Sequence, residues 1–221
     1  MKEYDLIMNE ELSIINSNTR NEKIKNFFIN NKITIIFGLV FFVIIVISVY
    51  GFDRYTTAKK KGISESFNSI TIDYTDSEKE KALNGLIDIV NKQDSTYSPL
   101  SLYFIIDNNL VTDKDKINSL FNILINNTTL DDEIKNLVIY KKALFNADNA
   151  QESDLLKILS PIINSKSVWK SHALYLMAEY FYAGNQKQKA KEFFNKIISL
   201  ENSNPDLKLQ AEKRLNRDLS E

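Results

Sequence analysis

Residues 171–198 read SHALYLMAEYFYAGNQKQKAKEFFNKII. Two stretches of helical periodicity flank Gly184-Asn185, a pair that punctuates helices. This spacing predicts one helical hairpin, over about 167–183 and 186–201. Ala178 stands midway along the first helix, and Phe181 follows on the next turn. On the second helix Ala190 is the small residue, with Phe194 and Ile197 beyond it. Helices pack closely where small side chains meet at the crossing and large apolar ones fill the space beside it.

The same pattern extends outward. Downstream, Asn204-Pro205 opens a last helix to about 219, with Leu207, Ala211, Leu215 and Leu219 on one face. Its polar positions Asp206, Lys208, Glu212, Lys213 and Arg217 suit a solvent-facing cap. Upstream, Asp131 or Asp132 starts a helix at about 131–147. Its apolar stripe is Ile134, Leu137, Val138, Leu144 and Phe145, and Ala143 takes the small position. The partner helix covers about 152–164, bent or ended early by Pro161. A further pair covers about 98–110 and 113–127, opened by Ser98-Pro99 as N-cap and first-turn proline. Before it comes a helix at about 76–92, carrying Leu83, Leu86, Ile87 and Val90.

Hairpins therefore begin near residues 97, 131 and 167, a period of about 34–36 residues. That period matches the tetratricopeptide repeat, in which stacked hairpins share a core that one hairpin cannot build alone. Two departures stand out: Gly184 comes one residue early, and the proline that usually follows the second helix is missing. The expected fold is all-α, a tetratricopeptide-like α-solenoid closed by a C-terminal capping helix. Five glycines and three prolines agree with long helices and short loops.

Residues 33–52 read ITIIFGLVFFVIIVISVYGF, without a charge. At about 1.5 Å per residue they span about 30 Å, the thickness of a bilayer core. Phe27, Phe28, Tyr50, Phe52 and Tyr55 flank the run, where aromatic rings favour the interface. The run is longer than a signal-peptide core, and Val49-Tyr50-Gly51 is no small-residue cleavage site. The expected organisation is a polar tail over 1–32, a transmembrane helix over 33–52, a helix extension and linker over 53–75, and the repeat domain over 76–221. Within the tail, Tyr4, Met8, Leu12 and Ile15 recur at helical spacing. Close to the span, four cations precede it (Arg20, Lys23, Lys25, Lys32) and four follow it (Arg54, Lys59, Lys60, Lys61). Charge bias therefore leaves either orientation open. Lys59-Lys60-Lys61 reads equally as a contact for anionic lipid heads and as a solvated helix face.

Composition removes several classes of function. The net charge of -1 offers no basic face for nucleic acid. With no cysteine there is neither a disulfide framework nor a thiolate nucleophile. The only histidine, His172, lies at a helix start with no identifiable nucleophile and orienting partner, so no enzyme is expected. No phosphate-binding glycine loop occurs, and no cofactor, metal or small-molecule substrate is implied. Asp131-Asp132 reads as a helix start, and the sequons in Asn126-Asn127-Thr128-Thr129 as chance.

Taken together, the chain resembles the single-pass, repeat-containing ancillary subunit of the bacterial Sec translocon, the YfgM-type proteins, in an alphaproteobacterial-type form. The residues that carry this are Glu10-Glu11-Leu12 before the anchor, the basic stretch and apolar span, Leu155, Leu159, Pro161, Trp169 and Ala173, then Asn204-Pro205 and Ala211. The resemblance implies an inner-membrane protein with a cytoplasmic N-terminus and a periplasmic repeat domain. It also implies the SecYEG translocon and a membrane-bound periplasmic chaperone as partners. A cell-envelope assembly or division scaffold, or a cytosol-facing receptor built from the same repeats, remains open.

By repeat register, Tyr140, Tyr175, Glu179 and Tyr182 should face the concave, protein-binding groove. Tyrosine offers a large contact area with few rotors, which suits peptide binding, although the same residues could simply cover a wet surface. Repeat domains that clamp C-terminal carboxylates use Lys and Asn at these places. Here the residues are aromatic, acidic or apolar, which argues against that specificity. Trp169 is read as packing between adjacent repeats, with a partner hot spot as the alternative.

Overall fold

A computed structural model describes residues 19–72 and 74–220, and no strand occurs among them. The chain divides into two units, Met1–Lys59 and Lys60–Glu221. The possible tail helix near residues 3–16 lies outside the described residues.

The first unit contains α1 over residues 19–30 and most of α2, Lys32–Thr71. Asn31 between them donates its N–H to the Phe27 carbonyl at 3.0 Å and accepts from the Ile35 N–H at 2.9 Å. Helix α2 is long and apolar enough to cross a membrane, and none of its apolar window is buried. The Ser48 hydroxyl donates to the Ile44 carbonyl at 2.8 Å. A hydrocarbon environment requires this kind of satisfaction within the helix, because lipid offers no partner. Past the apolar run, the Arg54 guanidinium lies over the Tyr50 ring at 5.2 Å and donates to its hydroxyl at 2.7 Å and 3.0 Å.

The second unit begins with the end of α2 and a short 3-10 turn, Asp76–Glu78. Then come α3 (Lys79–Asn91), α4 (Tyr97–Asp107), α5 (Lys114–Asn126), α6 (Asp132–Asn146), α7 (Glu152–Ile163), α8 (Lys170–Ala183), α9 (Lys187–Ser199) and α10 (Pro205–Asp218). The helices stand where the apolar periodicity puts them. Several caps follow from local chemistry. The Asp113 carboxylate accepts from the Asp115 and Lys116 N–H groups, and the Asn204 side chain from those of Asp206 and Leu207. Pro205 at the first position of α10 costs no hydrogen bond.

Two local expectations need correcting. Ser98 is not the N-cap of α4 but lies inside it, and the Asp94 carboxylate holds the Thr96 and Tyr97 N–H groups instead. Pro161 does not end α7 at once, because the helix runs on to Ile163. At the α8–α9 turn the left-handed residue is Asn185, with φ 56°, rather than Gly184. Asn adopts this conformation at low cost, which explains why glycine can stand one position early.

Successive helices are joined by short loops and pack against one another, most closely as α3 with α4, α6 with α7 and α8 with α9. The pair expected over 98–110 and 113–127 is therefore secondary: α4 is held more tightly by α3 than by α5. The reason is visible at Ser98, fully buried, whose hydroxyl donates to the Ile89 carbonyl of α3 at 2.7 Å. Helices two apart also touch: α3 on α5, α6 on α8, α8 on α10.

Two cores result. One runs from Leu86 to Val138 and the other from Ile139 to Leu219. They divide at neighbouring residues of α6, which thereby forms a wall of both. Within the second, Ala178, Phe181, Ala190, Phe194 and Ile197 are all buried, as the hairpin pattern predicts.

Candidate functional site: the hollow between α6 and α8

Beside the C-terminal ends of α6 and α8 lies a hollow of about 660 Å3. Its walls are Leu144, Ala147 and Asp148 on one side and Leu176, Glu179, Tyr180 and Ala183 on the other. Leu144 and Glu179 stand 35 residues apart in the chain, as do Asp148 and Ala183. The Tyr180 hydroxyl donates to the Ala150 carbonyl at 3.0 Å, which anchors the α6–α7 connection to α8.

Leu144 is 51% exposed. It was expected on the buried stripe of its helix together with Ile134, which is also exposed. Both lie at the edge of the stripe, where periodicity alone does not distinguish core from rim. An exposed leucine beside the half-buried Leu176 and Tyr180 makes an apolar surface edged by the carboxylates of Asp148 and Glu179. Such a surface can hold an apolar side chain, with the Asp148 carboxylate at its edge.

Of the four residues predicted to face a groove, only Glu179 lines this hollow. Its carboxylate is gripped by Arg214 of α10, whose Nε donates to Oε1 at 2.9 Å and whose second amino group reaches Oε2. Arg214 also lies over the Tyr182 ring at 4.6 Å and donates to Asp218 at 2.8 Å. These hydrogen bonds, to Glu179 first and Asp218 second, raise the Arg214 pKa. Arg217 and then Arg214 hold the Asp218 carboxyl well below the usual carboxylate range. Tyr175 packs edge-on against Phe194 at 5.6 Å, and its hydroxyl is pushed up by burial and then by Glu179. Tyr175 and Tyr182 thus belong to the junction of α8 with α9 and α10.

Tyr140 stacks on Trp169 at 5.8 Å and meets His172 edge-on at the same distance. Trp169 therefore packs between α6 and α8, the structural reading of the two. Burial lowers the His172 pKa, partly opposed by the Val168 carbonyl. Among the described residues no group of three His, Asp or Glu side chains is placed to hold a metal. No family model, curated protein or solved structure matches the chain. Fold and site together define an all-helical protein with one helix suited to crossing a membrane and an open hollow of mixed polar and apolar lining on its helical domain.

Proposed function

We propose that the chain is a membrane-anchored scaffold, in which α2 crosses the membrane once and α3 to α10 act as a tetratricopeptide-like solenoid that binds proteins. The observation that carries this reading is the α6–α8 hollow. Residues one repeat apart line it, and its apolar wall is open to solvent. The resemblance to YfgM-type proteins supports a place on the periplasmic side of the inner membrane, beside SecYEG and a membrane-bound periplasmic chaperone. It also supports a role without catalysis.

A photo-crosslinking side chain at Leu144 of the full chain in native membranes tests the reading. Adducts with translocon subunits or the chaperone are expected. Adducts confined to division or outer-membrane assembly proteins would move the scaffold to that machinery. Orientation is read from Ser220→Cys, since the chain has no other thiol. Labelling of intact cells by a membrane-impermeant reagent is expected. Labelling only after lysis overturns the periplasmic placement.

A further inference from the structure

Helices α5 and α7 each pack on α6 but not closely on each other. Beside them opens a second hollow of about 420 Å3, within the range of about 300–1,000 Å3 for ligand pockets. Ile125, Ile139, Ile158 and Pro161 supply an apolar lining. It lies at the seam of the two cores: Ile139 belongs to the C-terminal one, and Ile125 packs against both. The two hollows share no lining residue.

Two cations enter this apolar space, Lys142 from α6 and Lys157 from α7. The Lys142 ammonium donates to the Asn122 side-chain oxygen at 2.7 Å, which is a neutral amide. Burial lowers its pKa, so the charge has lost hydration. Among the described residues neither lysine has a carboxylate within ion-pairing distance. The one acidic group of the lining, Asp154, lies in the first turn of α7, where it complements the helix dipole. A half-buried ammonium without a counter-ion gains most from a ligand that brings one, and the isoleucines gain from apolar cover.

We propose that this hollow is a docking site for an acidic amphipathic segment of a partner protein. Apolar side chains of that segment fill the space between Ile125, Ile139 and Ile158, and a carboxylate reaches Lys142 and Lys157. The spacing of Ile139 and Lys142 on α6 asks for a ligand whose apolar and acidic residues stand about one helical turn apart.

The test uses the full chain in lipid nanodiscs and a fluorescent helical peptide bearing leucine at every third or fourth position and glutamate beside it. A matched peptide carries lysine in place of glutamate. Saturable binding of the glutamate peptide is expected, with the lysine peptide weaker by about tenfold. Lys142→Gln with Lys157→Gln should weaken the glutamate peptide by about fivefold, the scale of two partly exposed charges. Ile158→Asp should weaken it as well, while Leu144→Glu on the other hollow leaves it unchanged. An unaltered thermal midpoint in each variant excludes unfolding as the cause. Equal affinity for both peptides, binding to protein-free nanodiscs alone, or indifference to the lysine and Ile158 variants overturns the proposal. Any of these leaves the Leu144 crosslinking result to judge the first hollow separately.

Discussion

The two cores of the helical domain solve the same packing problem with different residues. In the C-terminal core, helices approach at fully buried alanines: Ala143, Ala173, Ala178, Ala190 and Ala211. In the N-terminal core the small residues of α4 are Ser98 and Ser101, and α3 offers Gly85, where an added Cβ would stand 2.6 Å from the Ile70 side chain. Alanine needs nothing further once buried. Serine brings a hydroxyl that must find a partner, and Ser98 finds two, donating to the Ile89 carbonyl and accepting the Asp94 N–H at 2.8 Å. A small polar residue can thus do the work of alanine where the backbone of its neighbour supplies the hydrogen bonds.

The largest test of this contrast removes an aromatic side chain from each core. Phe194→Ala and Phe121→Ala should each cost about 3–5 kcal/mol, because both side chains are fully buried. Because α6 walls both cores, denaturant titrations should show each variant shifting one common transition. Two separate transitions would show that the cores fold independently and would break the idea of a shared wall.

Serine substitutions come next. Ser98→Ala leaves the Asp94 N–H without its acceptor and the Ile89 carbonyl with only the Lys92 N–H, and should cost about 1–3 kcal/mol. The Ser101 hydroxyl is buried without a hydrogen-bond partner, so Ser101→Ala should be neutral or stabilising by up to about 1 kcal/mol. Equal costs for the two would show that size alone governs both positions. These substitutions also bear on legibility. Leu86, Val90, Phe181 and Phe194 announce themselves by helical periodicity, whereas a buried serine looks in sequence like an exposed one. The α3–α4 pairing therefore went unread.

The smallest expected effect is in pH dependence at the C-terminal end. Arg217 and Arg214 depress the Asp218 carboxyl in the folded state. Its contribution is therefore present above the ordinary carboxylate pKa and is lost as pH falls through that value toward the lower folded one. Stability measured across this acid range should fall less steeply in Asp218→Asn than in the parent chain. An identical acid profile would show that the Asp218 carboxylate adds nothing to the arginine network within α10. No comparable arginine network joins helices in the N-terminal core among the described residues.

For the candidate site, helical register put Tyr140, Tyr175, Glu179 and Tyr182 on one groove, and of these only Glu179 lines the hollow between α6 and α8. Register did not say which residues would be open. Tyr175 and Tyr182 had the composition of a binding surface, but Arg214 of α10 and Phe194 of α9 occupy them. Leu144 looked like core and is exposed, because α7 and α8 leave that edge of α6 uncovered.

Local and periodic chemistry is enough to determine the helices, the apolar run of α2 and the Asn204-Pro205 start of α10. Apolar spacing, a proline's missing N–H and a side-chain cap act within a turn or two of the chain. Which helix holds which, and which face stays open, depends on pairs of surfaces meeting across tens of residues. The tight α3–α4 pair, the seam inside α6 and the two hollows are such outcomes. They are decided by packing between elements, and that is fixed only when the whole domain is assembled.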